Sequence, residues 1–221
     1  MTKIIRVDRN NPEIELIDLA AKVIREGGLV AFPTETVYGI GANSFDEEAV
    51  KKIFMVKGRP QDNPLIVHIA ELEQIYDLVE DIPQKAKILM EKFWPGPLTL
   101  IFKKSQKVPY VNTAGMDTVA IRMPSDTIAH LLIKRAKVPI SAPSANVSGK
   151  PSPTDASHVV EDLDGKVDII IDGGKCDFGV ESTVLDLTEK MPVVLRPGAV
   201  TLEMLKEVIG NVEVDLSLIH I

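Results

Sequence analysis

Apolar residues recur along the chain with two different periods. Short apolar runs such as Leu29–Phe32 and Leu65–Ile69, the second interrupted only by His68, are typical of buried strands. Asn11 is placed to cap a helix with Pro12 at its first position, and apolar residues then recur every three or four positions, which is typical of one helix face, until Gly27 ends the helix. The N-terminal part of the chain therefore predicts alternating strands and helices.

Similar patterns predict the later elements. Asp46, Asp126 and Thr201 are placed to cap three more helices, and Pro83 divides a helical region over 71–93. Further strands are predicted at 4–7, 98–102, 118–123, 139–142, 168–172, 182–187 and 193–195, with a long loop over 143–154. Because helices alternate with strands early and the later strands lie close together, we expect an α/β fold with a mixed sheet.

Composition limits the class of protein. A chain of 221 residues that is 45% hydrophobic is long enough for one large core, which we assign to residues 1–208, with 209–221 as a weakly patterned tail. A net charge of −7 disfavours a protein whose main task is to hold nucleic acid. Cys176 is the single cysteine, so neither an internal disulfide nor a cysteine zinc site is expected. Without a signal peptide or membrane span, we expect a soluble cytoplasmic protein.

Two cations follow the second predicted helix. Lys57 and Arg59 stand two positions apart beside Gly58 and Pro60, an arrangement suited to gripping phosphates. The alternative is a solvated helix end, where cations also interact favourably with the helix dipole.

Other strand ends carry hydroxyl groups and cations. Thr34, Thr36 and Tyr38 alternate as if they faced one cavity, although such residues are also ordinary strand formers. Thr118 and Arg122 share one face of a strand, where the buried cation needs either a ligand carboxylate or an internal acid.

The loop from Ser141 to Ser152 contains small residues that let backbone N–H groups approach an anion, unless it is merely a flexible turn. Ser182 and Arg196 repeat the combination of hydroxyl and cation. No P-loop and no nucleophile–base pair emerges, which favours positioning chemistry on phosphates.

Seven motifs follow one another in an order that resembles the YrdC-like threonylcarbamoyl-AMP synthases. The resemblance covers about 10–208 and includes P-T-E-T-V-Y-G at 33–39, K-G-R-P at 57–60, W-P-G-P-L-T at 94–99, R-M-P at 122–124, S-A-N-V-S-G at 144–149, E-S-T-V at 181–184 and R-P-G at 196–198. It implies a twisted, open mixed sheet, dsRBD-like, with flanking helices and a large concave cavity.

The resemblance also implies a reaction. L-threonine, bicarbonate and ATP, with Mg²⁺, would give threonylcarbamoyl-AMP and pyrophosphate. A downstream threonylcarbamoyl transferase complex would use that product for N6-threonylcarbamoyladenosine in tRNA, and direct tRNA contact is left open.

The same resemblance assigns the site residues. It implies a threonine pocket made of Thr36, His68, Arg122, the Ala142 main chain and Ser182. It implies an ATP pocket made of Lys57, Arg59, Asn63, Thr118, Ser144, Asn146, Ser152 and Arg196. Lys57 and Arg59 would be catalytic by offsetting charge on the phosphates, and no protein metal ligand is assigned.

Three alternatives stay open from the sequence. A related domain performs a carbamoyl-adenylate step in hydrogenase maturation, but the acylphosphatase and zinc-finger parts of those proteins are not found here. An RNA-binding module is a rival from another class, disfavoured by the acidic charge. Longer family members carry a second domain, so the chain is either a single-domain member or a fragment.

Overall fold

The computed structural model describes residues 1–215. Its α-helices are α1 (Ile14–Arg25), α2 (Glu47–Lys57), α3 (Gln84–Phe93), α4 (Thr127–Ala136), α5 (Ala156–Leu163) and α6 (Leu202–Ile209). Its strands are β1 (Lys3–Arg6), β2 (Val30–Phe32), β3 (Gly39–Asn43), β4 (Ile66–His68), β5 (Leu98–Lys103), β6 (Thr118–Arg122), β7 (Ile140–Ser141), β8 (Ile169–Asp172), β9 (Thr183–Asp186), β10 (Val193–Arg196) and β11 (Glu213–Val214). Two 3₁₀ helices cover Leu72–Asp77 and Tyr110–Thr113.

The strands of the described part form one mixed sheet. Their order is β1-β8-β2-β3-β7-β4-β6-β5-β9-β10-β11. Parallel pairs such as β4 with β6 occur beside antiparallel pairs such as β5 with β6. The α/β fold with a mixed sheet and flanking helices is therefore confirmed.

Both faces of the sheet are covered. Ile169 and Ile171 of β8 pack into one apolar cluster with α1 and α4, whereas Ile170 between them packs into another with α2 and α5. This alternation follows from the two-residue period of a strand. A third cluster joins β5, β6 and β9 to α3, α6 and Trp94. Within residues 1–215, no helix is long and apolar enough to cross a bilayer.

Several local predictions are confirmed. The Asp46, Asp126 and Thr201 side chains accept hydrogen bonds from main-chain N–H groups in the first turns of α2, α4 and α6, respectively. The region 71–93 is divided as expected, with Pro83 immediately before α3, although its first part is a 3₁₀ helix.

The predicted cap at Asn11 is wrong. Helix α1 begins at Ile14 with Glu13 as its N-cap. The Glu13 carboxylate accepts from the N–H of Asp8, at 3.1 Å, so this acid organises the preceding turn instead of capping α1.

Four elements differ from the sequence prediction. Strand β3, helix α5 and the 3₁₀ helix Tyr110–Thr113 were not predicted. Strand β11 pairs with β10 inside the stretch predicted as a tail, whereas residues 216–221 of that tail lie outside the described part.

We expect the buried cap of α4 to contribute more to stability than the exposed cap of α6. One Asp126 oxygen accepts from Ile128 and Ala129, and the other lies 2.9 Å from Arg9 Nε. Asp126→Ala should therefore lower the free energy of unfolding by roughly 2–4 kcal/mol, since it removes the cap and leaves Arg9 Nε without its partner, although Arg9 Nη1 keeps its contact with Asp177. Thr201→Ala, the control, should cost about 1 kcal/mol in the same denaturant titration. Equal losses would show that the ion pair with Arg9 contributes nothing.

Candidate functional site

Two adjoining cavities open at one region of the sheet. The first has a volume of about 420 Å³ and the second about 290 Å³. Arg59, Asn63 and Ser144 line both cavities, so they form a shared wall. The site therefore offers two compartments that meet at a cation, an amide and a hydroxyl group.

Arg122 is the buried cation of the first cavity. It ends β6, and only 3% of the residue is exposed. Its Nη1 donates to the Thr36 hydroxyl at 2.9 Å, its Nε donates to the Gly96 carbonyl at 3.3 Å, and its Nη2 lies 2.7 Å from a Glu35 carboxylate oxygen. Of the two options that the sequence left open for this cation, the internal acid is present and is Glu35.

Glu35 is also buried, and its carboxylate oxygens receive no hydrogen bond of good geometry. Its main-chain carbonyl accepts from the N–H groups of Asp177 and Phe178, at 3.1 and 2.9 Å. The segment around Thr36 is thus tied on one side to Arg122 and on the other to the loop that leads to Ser182.

His68 lies beside Arg122, because β4 and β6 pair in parallel with these two residues in register. Burial, reinforced by the Arg122 charge, lowers the pKa of His68 to about 3. The imidazole is therefore neutral, and its Nδ1 donates to the Ile66 carbonyl at 3.1 Å. His68 serves this cavity as a neutral hydrogen-bonding group.

Ser182 belongs to a network with Arg196 and Thr99. Arg196 donates from Nε to the Ser182 carbonyl at 3.0 Å and from Nη2 to the Ser182 hydroxyl at 3.1 Å. The Ser182 and Thr99 hydroxyl oxygens are 2.7 Å apart. Gly198 permits this arrangement, since a Cβ there would lie 2.5 Å from the Glu181 carbonyl oxygen. The network fixes both residues at the cavity wall.

Lys57 lies at the second cavity, but its ammonium group is already engaged. The residue is 1% exposed, and Nζ donates to the main-chain carbonyls of Ser144 and Asn146. Burial, and then the nearby Arg59 charge, lowers the pKa of Lys57 to about 8. Lys57 therefore holds the small-residue loop in place, which its position in the sequence did not indicate.

Arg59 is the freer cation of the pair. Gly58 adopts a left-handed conformation, with φ of 59°, which ends α2 and turns the chain toward the shared wall. Arg59 makes only long contacts of 3.3 and 3.4 Å to the Pro64 and Asn63 carbonyls, and its buried Nε has no hydrogen-bond partner among the described residues. An anion at the wall would supply that partner.

Most of the residues assigned to the site come together. The first cavity is lined by Thr36, Arg59, Asn63, His68, Arg122, Ala142, Ser144, Ser182 and Arg196, and the second adds Lys57 and Asn146. Thr118 and Ser152 line neither cavity. Ser152 reaches the first cavity indirectly, since it donates to Glu181, a lining residue, at 2.5 Å.

Other residues differ from their predicted roles. The Tyr38 hydroxyl does not serve the cavity, because it donates to the Gly174 carbonyl and accepts from the Gly173 N–H. Glu35, Thr99 and Glu181 were not assigned to the site. The unbalanced charge of Arg122 was the available signal for Glu35, whereas the motif at 94–99 includes Thr99 but gives it no role.

The chain is similar to proteins from several organisms. Residues 22–198 match the family Sua5_yciO_yrdC, described as "Telomere recombination". The chain is 59% identical over 214 residues to a threonylcarbamoyl-AMP synthase of Pyrococcus abyssi and 56% identical over 211 residues to one of Bacillus subtilis. These matches cover 97% and 95% of this chain, but 63% and 60% of those relatives.

Solved structures agree with the sequence matches. The structure of P. abyssi Sua5 complexed with L-threonine has a TM-score of 0.95 and 58% identity, covering 97% of this chain and 63% of that one. The chain thus spans somewhat less than two thirds of the length of these relatives, and it belongs to the Sua5/YciO/YrdC family.

Proposed function

We propose that this chain carries the site of an L-threonylcarbamoyladenylate synthase, a nucleotidyltransferase that uses L-threonine, bicarbonate and ATP. The observation that carries the proposal is the shared wall at Arg59, Asn63 and Ser144, which joins a cavity suited to an amino acid to one suited to phosphates. The similarity to proteins named threonylcarbamoyl-AMP synthase supports the same reaction.

The first cavity is the proposed threonine site. Arg122 offers a cation for the amino acid carboxylate, which would share the guanidinium with Glu35. Thr36, His68 and Ser182 present hydrogen-bonding groups around it, with the main chain of Ala142 nearby. A buried site with several polar groups favours a ligand that satisfies all of them, as threonine would.

The second cavity and the shared wall form the proposed ATP site. Arg59 and Arg196 supply positive charge for phosphates, while Asn63, Ser144 and Asn146 supply polar contacts. Asn146 Oδ1 is buried without a hydrogen-bond partner among the described residues, so it is free to accept from a nucleotide. Thr118 and Ser152 belong to the proposal only as neighbours of lining residues: Thr118 is two residues before Ala120 on β6, and Ser152 donates to Glu181.

The proposed reaction depends on how the substrates are positioned and does not require a nucleophile from the protein. The threonine amine attacks the carbon of bicarbonate with loss of water, or that of CO₂ derived from bicarbonate with loss of a proton, and the resulting carbamate is an anion. A carbamate oxygen then attacks the α-phosphorus, the bond to the β-phosphate oxygen breaks, and pyrophosphate leaves. Arg59 and Arg196 would offset the charge that develops on the phosphates, and Lys57 would hold the surrounding loop.

Magnesium enters this proposal with the substrate, as MgATP. Within residues 1–215, no group of three or more His, Cys, Asp or Glu side chains is arranged to hold a metal ion. A magnesium ion carried by nucleotide phosphates needs at most one or two protein carboxylates.

The wider context is proposed on the same basis. The product would pass to a threonylcarbamoyl transferase complex that modifies tRNA, in the cytoplasm. We propose that the synthase domain begins near residue 1 and includes β11, because β11 pairs with β10 of the same sheet. Direct binding of tRNA is a question for experiment.

The test is an assay with ATP, L-threonine and bicarbonate that follows pyrophosphate and the adenylate. Product that requires all three substrates is expected. Salt-dependent binding of tRNA without ATP turnover would support an RNA-binding module instead.

Arg59 and Lys57 should respond differently to substitution. Arg59→Ala should raise the KM for ATP by about ten- to a hundredfold with little change in melting temperature, because a charge-assisted contact contributes roughly 1.5–3 kcal/mol. Lys57→Ala should reduce activity and also lower the melting temperature, because it leaves the Ser144 and Asn146 carbonyls without their donor. Lys52→Ala is the control, since Lys52 is on the same helix and donates to the Gly27 carbonyl away from both cavities. If both site variants kept wild-type kinetics, the proposed roles of Lys57 and Arg59 in the site would be wrong.

Amino acid preference should follow the hydroxyl group. Valine is nearly isosteric with threonine but leaves the polar groups of the cavity unpaired, so it should be a very poor substrate. Serine keeps the hydroxyl and loses one methyl group, a loss of about 0.8 kcal/mol, so it should be the better of the two. The measurement is kcat/KM for adenylate formation under saturating ATP and bicarbonate. If kcat/KM for valine equalled that for serine, the cavity would select the amino acid by shape and not by its hydroxyl group. The placement of Thr36, His68 and Ser182 in the threonine site would then be wrong.

A further inference from the structure

Thr99 lies behind the wall of the first cavity and does not line it. It is on β5, where it pairs with Arg122 of β6 and with Val184 of β9. The residue is fully buried, with 0% exposure, and its hydroxyl contacts the Ser182 hydroxyl at 2.7 Å. Within the described part of the chain, no other hydrogen-bond partner of the Thr99 hydroxyl is found.

The direction of this hydrogen bond can be assigned by accounting for protons. A hydroxyl group has one proton and two lone pairs, and a buried donor without an acceptor is costly. If Ser182 donated to Thr99, the Thr99 proton would have no acceptor. Thr99 must therefore donate to Ser182, which also accepts from Arg196 Nη2 at 3.1 Å. Both lone pairs of Ser182 are then used, and its own proton remains for a ligand in the cavity.

The hydroxyl of Thr36 keeps a position that can accept a hydrogen bond. Thr34 donates its proton to the Val37 carbonyl at 2.6 Å and accepts from the N–H groups of Thr36 and Val37, so it does not donate to the Thr36 hydroxyl 2.9 Å away. The Thr36 hydroxyl accepts from Arg122, and one lone pair remains. The cavity thus presents a donor at Ser182 and an acceptor at Thr36, which together match the needs of one ligand hydroxyl group.

We propose that Thr99 is a positioning residue that commits the Ser182 hydroxyl to donating into the cavity, and thereby sets the preference for an amino acid with a side-chain hydroxyl. The inference rests on the proposed synthase function and deepens it. Without Thr99, Ser182 loses the neighbour that fixes its rotation and polarises its proton, so the hydrogen bond to the ligand weakens.

The test compares Thr99→Val, which keeps the shape and removes the hydroxyl, with Thr99→Ser, which keeps the hydroxyl. Thr183→Val is the matched control, because Thr183 is also buried and donates to the Val200 carbonyl outside the cavity. For each protein, kcat/KM is measured for L-threonine, and L-valine is measured as a competitive inhibitor. Thr99→Val should lower kcat/KM for threonine about five- to tenfold and change the valine inhibition constant less than twofold. Thr99→Ser and Thr183→Val should remain within twofold of wild type for both.

A second comparison separates action through Ser182 from a general loss of structure. Ser182→Ala alone should reduce threonine turnover, and adding Thr99→Val to it should cause no further loss. If Thr99→Val does not fold, Thr99→Ala takes its place in the same cycle. Equal losses for threonine and valine, an additive double variant, or a wild-type Thr99→Val would each overturn the inference. A wild-type protein that forms no adenylate would instead overturn the proposed function on which it rests.

Discussion

The buried guanidinium of Arg122 is the constraint around which the site is built. A cation inside a sheet is unfavourable unless it is paired and hydrogen-bonded, and removing one partner of such a buried pair typically costs about 3–5 kcal/mol. Its partners come from segments far apart in sequence, namely Glu35, Thr36 and the carbonyl of Gly96. Because these partners pair with the Arg122 guanidinium, the loop after β2 and the turn before β5 both lie against the end of β6.

The same cation organises its neighbours. It contributes to keeping His68 neutral, and it shares the cavity with the Ser182 network. Because the Glu35 carbonyl accepts from the loop at Asp177 and Phe178, the segment that leads into Ser182 is anchored to the same point. The polarity of the first cavity is therefore a property of connected hydrogen bonds rather than of separate residues.

The two cations of the second cavity have different roles: one holds the main chain in place, and the other faces the cavity. Lys57 and Arg59 are two residues apart, yet Lys57 points into main-chain carbonyls while Arg59 faces the shared wall. A compact ammonium with three donors suits several carbonyls at close range, whereas a planar guanidinium suits a phosphate. This division fits the proposed site, which would position its substrates without a nucleophile of its own.

The sequence by itself determined the α/β class, the buried strands, the caps at Asp46, Asp126 and Thr201, and the need of Arg122 for an anionic partner. These follow from local periodicity, turn chemistry and the cost of a buried charge. Only the tertiary structure decided that Gly39–Asn43 is a strand, because Gly41 lets Phe32 and Ile140 pack where a Cβ would stand. It also decided that Lys57 is buried and that Thr99 lies against Ser182. Such contacts join residues far apart in the chain, and their hydrogen bonds depend on distances that no local pattern encodes.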